Sequence, residues 1–335
     1  MAKRIGKQTI LIEKSVGIIS SAGVVGKKEY EGPLGKDFDN VFLDEYAGEE
    51  SFEAAESKFL KNAIGIAMLN KELKVDDIDI VTGGDLLNQD MASTFGVKDF
   101  QIPYIGLFSA CSSCALGAGL ASVLVDSGAA NTAIAATSSH FCTAERQFRF
   151  PLEYGSKTTP NSQRTVTGAG AGIFAIDKTA PKIKAVTFGK VVDFGVTDAN
   201  NMGAAMAPAA ADTIFQYFED TGAKPRDFDL ILTGDLGFVG SKILIELLND
   251  KGIDISCVHN DCGMMMFGED DPDYKGGGSG CGCCASIFYS HIMKKFHNNE
   301  LGRILVIATG ALLSPTSAFQ GFSIPAIAHL IEVQK

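Results

Sequence analysis

Residues 105–140 read IGLFSACSSCALGAGLASVLVDSGAANTAIAATSSH. The stretch divides into strand, tight turn, helix, turn and strand. Ile105–Phe108 is a short apolar run, Ser109 and Ala110 turn the chain, a helix is predicted over Cys111–Ser127, and Ala133–Thr137 is the second strand. Gly128 supplies the left-handed residue that commonly ends a helix. The predicted helix carries no charge before Asp126 and is crowded with Ala115, Gly117, Ala118, Gly119 and Ala121. A helix that is apolar all round is a buried helix. Each glycine costs it about 1 kcal/mol against alanine, so a pair of them marks the close approach of another backbone. Cys111 opens this helix, where free N–H groups and the helix dipole favour an anion and lower the pKa of a thiol.

The whole chain is consistent with that buried centre. Its 335 residues suffice for one large domain or two fused halves, and 46% of them are hydrophobic. The net charge of −11 argues against nucleic acid as a partner. No apolar run reaches the ~20 residues that span a bilayer, and Thr9–Ile12 is too short for a signal-peptide core. The expectation is a protein kept inside the cell, with any membrane contact peripheral. The eight cysteines fit a reducing compartment.

A phrase recurs along the chain. DDIDIVTGGDL at residues 76–86 returns as RDFDLILTGDL at residues 226–236, about 150 residues on, a spacing too long for a solenoid array. NTAIAAT at 131–137 returns as RILVIAT at 303–309, and Gly282–Met293 stands where the Cys111 helix stood. Helical spacing is also present after Ser51, running to about Leu73, and over Pro208–Glu219. Lys27–Glu50 reads as loop. Strand–helix alternation in two similar halves makes the fold class α/β. The halves are residues 1–178, with a loop insertion at 141–168, and residues 179–335. Two small-residue helices, one per half, would pack together at the centre. GAGAG at 168–172 precedes an apolar run instead of opening a helix, so it reads as close packing, not as a dinucleotide loop.

A cysteine at the start of a buried helix, then Ser127-Gly128-Ala129 and an apolar strand, resembles the thiolase superfamily. Its ketoacyl synthase III and hydroxymethylglutaryl-CoA synthase branches place their acyl-accepting cysteine there. Alignment on that SGA puts Cys111, not Cys114, in the nucleophile's place. SACSSCALGAGLA, TGGDLLNQD, RTVTGAGAG and GGGSGCGCCASI carry a closer likeness, over nearly the whole chain, to the stage V sporulation protein AD family. The resemblance implies a thiolase-like fold of five layers, α-β-α-β-α. It implies a sporulation protein that binds dipicolinic acid (pyridine-2,6-dicarboxylic acid) and assists its uptake into the developing spore, with membrane proteins of the same stage V operon. It also implies a homodimer paired through the strand Ala133–Thr137, and a peripheral place at the spore inner membrane.

Catalysis is a separate matter. A condensing enzyme of this superfamily has a histidine after the strand equivalent to Leu230–Thr233, and an Asn or second His later. This chain has Thr233-Gly234-Asp235-Leu236 at the first place and Cys281 at the second. An ionised carboxylate donates no hydrogen bond to an oxyanion, and a thiol donates weakly. The chain therefore reads as a superfamily member turned into a binding protein. The competing reading is an acyl-CoA-dependent acyltransferase using Cys111. A flat dianion calls for a helix start, hydroxyl and N–H donors, an Arg and an apolar wall. The candidates are Cys111, Ser109, Ser112, His140, Asp85 and Arg149. For His140 the plain alternative is a ring bonded to loop backbone, and for Asp85 a carboxylate holding loop N–H groups. Arg146, Arg149, Lys157 and Arg164 give residues 141–164 a local positive excess. No cofactor and no metal site are expected, since C-G-C-C at 281–284 lacks the paired C-x-x-C spacing of zinc ribbons. Calcium would arrive only with the ligand.

Overall fold

The structure is a computed structural model describing residues 2–148, 159, 161–268 and 275–335. Its main sheet runs in the order His259–Asp261, Leu230–Thr233, Arg303–Ala311, Ala326–Gln334, Lys182–Thr187, Val16–Gly26, Gly168–Ile176, Thr132–Ser139, Ile80–Gly84, Tyr104–Gly106. Read inward from either end, the same pattern appears. Three parallel strands are followed by an antiparallel one and then another antiparallel one. The repeated phrases occupy equivalent strands: Ile80–Gly84 matches Leu230–Thr233, and Thr132–Ser139 matches Arg303–Ala311. The two halves of the sheet meet edge to edge through one pair, Lys182 with Gly17. Thr9–Leu11, from the start of the chain, pairs with Ala185–Thr187 of the second half.

The helices stack in layers around this frame. Phe52–Leu69 covers the outer face of the first half, and Met202–Thr221 with Gly237–Asn249 covers that of the second. Between the halves lie two central helices. Ser113–Ser127 follows a single 3-10 turn, Ala110–Ser112, and stops at Gly128, whose φ of +83° is the left-handed closure expected of it. Cys281–Ile287 continues through a π-turn, Phe288–Ile292, into Met293–His297. The 18 residues Ala110–Ser127 pass, by length and composition, as a helix able to cross a membrane, yet 67% of the stretch is buried within the protein, as befits a core helix.

Glycines explain how layers come so close. A Cβ on Gly170 would lie 2.2 Å from the Ala285 carbonyl oxygen, and one on Gly172 2.2 Å from the Tyr289 ring. GAGAG is thus the face of the strand Gly168–Ile176 on which the second central helix rests. Some expectations need correction. The helix after Ser51 ends at Leu69. Lys27–Glu50 includes short helical turns and the strand Asn40–Phe42. Residues 141–148 of the expected loop form a helix, Phe141–Phe148, whose Thr143 and Ala144 are buried. The strand Ala133–Thr137 lies inside the sheet, between Ile80–Gly84 and Gly168–Ile176, and so offers no edge to a second subunit. The edge of that half is Tyr104–Gly106.

Candidate functional site

Cys111 sits in the turn that joins Tyr104–Gly106 to the first central helix. Ala110, just before it, has φ +49°, a left-handed conformation uncommon for a residue with a side chain. Gly310 lets the strand Arg303–Ala311 press against this turn: a Cβ there would lie 2.7 Å from the Ser109 carbonyl oxygen and 3.0 Å from the Ser112 nitrogen. The sulfur is thereby held at the junction of both halves, 8% exposed.

It opens onto a cavity of about 250 Å³. Leu86, Phe108, Phe148, Met202 and Leu313 give the cavity an apolar wall. Its polar rim comprises Glu145, Thr165, Ser279 and Ser314. Among the described lining residues none is cationic. Behind the sulfur stands Asp235, fully buried. Its carboxylate accepts the Thr309 hydroxyl at 2.6 Å, the Gly280 N–H at 2.9 Å and the Cys111 thiol. Burial raises the pKa of Asp235 to about 7. Burial, followed by the charge of Asp235, pushes the Cys111 thiol well above its ordinary range. This reverses the lowered thiol pKa expected of a helix start, because loss of water and a facing carboxylate outweigh the dipole.

The other candidates lie elsewhere. Asp85 is fully buried and accepts the N–H groups of Leu87 and Ser93, both at 2.7 Å. It holds the loop, and does not line the cavity. His140 is also fully buried. Its Nδ1 accepts the Cys142 N–H at 3.1 Å, which leaves Nε2 to donate to the Glu45 carbonyl at 2.9 Å. Burial lowers its pKa, so the ring is a neutral brace against Phe52 and Phe59. Ser109 and Ser112 share a hydroxyl contact at 2.8 Å, and Ser112 donates to the Ser109 carbonyl at 2.6 Å, so these hydroxyls secure the turn itself. Arg149 lies outside the described residues, as does Lys157. Arg146 pairs with Glu53, and Arg164 stacks 3.7 Å above the Phe141 ring centroid. Cys281 donates to the Ser138 carbonyl, and Cys283 and Cys284 are fully buried. His259, in the strand beside Leu230–Thr233, meets the Thr233 hydroxyl at 3.0 Å and does not line the cavity.

Of the expected residues that the structure describes, then, Cys111 alone reaches the cavity wall. The residue that sequence reasoning missed as a contact is Asp235. Its signal was the repeat itself, since Asp235 stands in the second half where Asp85 stands in the first.

The model of the family described as Stage V sporulation protein AD (SpoVAD) matches residues 6–334. The chain belongs to that family. A stage V sporulation protein AD of Bacillus subtilis (strain 168) is 44% identical over 327 residues, covering 98% of this chain and 96% of its own. Among solved structures, a cerulenin-bound OleA of Xanthomonas campestris superposes with a TM-score of 0.62 at 13% identity, over 97% of this chain and 100% of its own. A 3-oxoacyl-[acyl-carrier-protein] synthase III from Aquifex aeolicus VF5 gives 0.57 at 13% identity, over 96% and 100%. At such identities the likeness is one of fold, and that fold is thiolase-like, as the residues around Cys111 implied.

Proposed function

We propose that this sporulation protein holds dipicolinic acid in the cavity beside Cys111 and does not condense acyl groups. The observation that carries the second half of this reading is the partner of the sulfur. A buried carboxylate near its midpoint at neutral pH faces the thiol, and no imidazole lines the cavity among the described residues. Nucleophilic use of a thiol requires the thiolate, and these surroundings disfavour it. What remains is a cavity with an apolar wall for a ring, and polar groups around its rim. The N–H groups of the Ala110–Ser112 turn have no preceding helical carbonyl to bond, and supply donors for a carboxylate. Dipicolinate arriving as its calcium chelate would bring its own positive charge to a lining whose described residues offer none. In this reading no cofactor is needed. The protein works with membrane proteins of its own sporulation operon, at the spore inner membrane, to move the ligand inward.

The test is calorimetric titration of the purified protein with dipicolinate, with calcium dipicolinate and, separately, with acetyl-CoA. Heat with either form of dipicolinate and none with acetyl-CoA supports the binder. Acetyl-CoA binding followed by acylation and turnover at Cys111 would replace it with the acyltransferase reading.

A further inference from the structure

Asp235 does not line the cavity itself but contacts Cys111, which does, and its hydrogen bonds decide what Cys111 can offer a ligand. Both carboxylate oxygens are engaged, by Thr309 Oγ1 and by the Gly280 N–H, and the thiol hydrogen of Cys111 points into the same carboxylate. The Gly280 N–H also reaches the sulfur. The titratable groups facing Asp235 come from every element around it. Cys111 comes from the turn, Cys114 from the first central helix, and Cys281, Cys283 and Cys284 from the second; Asp261 comes from the end of the strand His259–Asp261. No Lys or Arg is among these groups.

Two arrangements of the pair follow. With Asp235 ionised, the S–H is committed to the carboxylate, and the sulfur turns its lone pairs toward the cavity, where they repel an anion. With Asp235 protonated, its O–H donates to the sulfur, and the S–H is free to turn outward and donate to a ligand carboxylate. An anion in the cavity further disfavours the ionised form by like-charge repulsion across a water-poor wall.

We propose that Asp235 is a proton-coupled residue of the ligand site: an anionic ligand binds against Cys111 together with one proton taken up by Asp235. The carboxyl titrates close to neutrality, at about 7, so the coupling operates in an accessible pH range. The inference rests on the anion-binding reading above and adds to it a pH-dependent affinity that no cavity shape supplies.

Calorimetric titration with free dipicolinate at pH 6 and pH 8, each in two buffers of different ionisation enthalpy, tests it. The parent should bind more weakly at pH 8, the loss approaching tenfold per pH unit above the carboxyl's own pKa, with net uptake of one proton per ligand at pH 8. Asp235→Asn, whose amide can still donate to the sulfur, should bind equally at both pH values and exchange no proton. Thr309→Val removes a donor that stabilises the carboxylate, so the fall in affinity should move to higher pH; this variant serves where Asp235→Asn fails to fold. Equal parent affinity at both pH values without proton exchange would overturn the coupling and leave the binding reading intact. So would a pH dependence that survives in Asp235→Asn, or one unmoved in Thr309→Val. Absence of binding at every pH would remove the binding reading and the coupling together.

Discussion

Cys114 and Cys284 hydrogen-bond to one another where the two central helices pack. Each lies three residues after the cysteine that opens its helical stretch, Cys111 in CSSCA and Cys281 in CGCCA. The two halves of the chain therefore meet at equivalent positions. Cys111 and Cys281 occupy equivalent places but different surroundings. One borders a cavity and Asp235; the other is fully buried, with its hydrogen on the Ser138 carbonyl.

Glycine substitutions should separate close packing from open surface. Gly170→Ala places a methyl 2.2 Å from the backbone oxygen of Ala285, which cannot move without shifting the helix. A loss of about 1–3 kcal/mol is expected, as for overpacked cores. Gly65, within the helix Phe52–Leu69, has nothing within 4 Å of such a methyl. Gly65→Ala should stabilise by about 0.5–1 kcal/mol. Denaturant unfolding of both variants reads the two signs, and a neutral Gly170→Ala would contradict the contact.

Glu29 should make stability depend on pH. It is fully buried at pKa about 7, against an ordinary value of 4.5, while its Oε1 accepts the Thr167 N–H at 3.0 Å. Between those values the folded protein holds a proton that the unfolded chain has released. Its stabilising contribution is therefore complete below about pH 4.5 and lost as pH rises through about 7. Asp90, at about 6, and Asp235, at about 7, act in the same sense. His259 and His329, held near 4 by burial, act oppositely, losing stability as pH falls from 6.5 toward 4. The difference between parent and Glu29→Gln isolates one group. Glu29→Gln should gain on the parent by about 2 kcal/mol from pH 5 to pH 8. A constant difference across that range would refute the burial argument.

Much of this architecture was legible because its causes are local. The helix Ser113–Ser127, its stop at Gly128 and the repeated TG-D phrase follow from composition and turn chemistry. The site was less legible. His140 and Asp85 both carry functional chemistry and both stand at strand ends, so sequence alone could not tell a brace from a ligand contact. The difference lies in their partners: Glu45, 95 residues away, for His140, and the N–H groups of Leu87 and Ser93 in the loop that follows for Asp85. Likewise the dipole argument for Cys111 was sound in isolation, and it was overruled by Asp235, which lies 124 residues on in sequence. The helix Phe141–Phe148 escaped notice because only Thr143 and Ala144 on it are buried.

Cys111 and His140 should respond differently to truncation. Cys111→Ala removes one partly accessible sulfur and keeps the backbone of the turn, so dipicolinate affinity should fall with the thermal midpoint nearly unchanged. His140→Ala removes a buried ring with two hydrogen bonds and should cost about 1–3 kcal/mol of stability. Thermal melts and titrations on the same samples distinguish them. A melt for His140→Ala equal to the parent's would return His140 to the list of ligand contacts.

Condensation activity should be absent. With acetyl-CoA and acetoacetyl-CoA, free thiol release and carbon–carbon product should stay far below turnover of ~1 s⁻¹, the lower end of ordinary enzymes. A single acyl adduct on Cys111 without further product is compatible with the binding reading. Sustained turnover is not.

In solution the protein should pair with a second copy through Tyr104–Gly106. That strand is hydrogen-bonded on one side only, to Ile80–Gly84, and exposed Phe95 and Phe108 stand near it in sequence. Unpaired edges are association surfaces that proteins cover. Light scattering at micromolar concentration should give twice the chain's 35.4 kDa. A stable monomer would count against the edge.

The pairing of Thr9–Leu11 with Ala185–Thr187 has a consequence for how the protein is born. At ~5–20 residues per second, a ribosome needs about 10–35 s to deliver the partner of a strand it made first. Throughout that time Ile10 and Leu11, paired only with Lys3–Ile5 on one side, trail from an otherwise completable first half with the other side of their ladder unfilled. Nascent chains arrested shortly after residue 178 should therefore carry a protease-sensitive amino-terminal tail, and those arrested well beyond residue 187, once it clears the exit tunnel, should not.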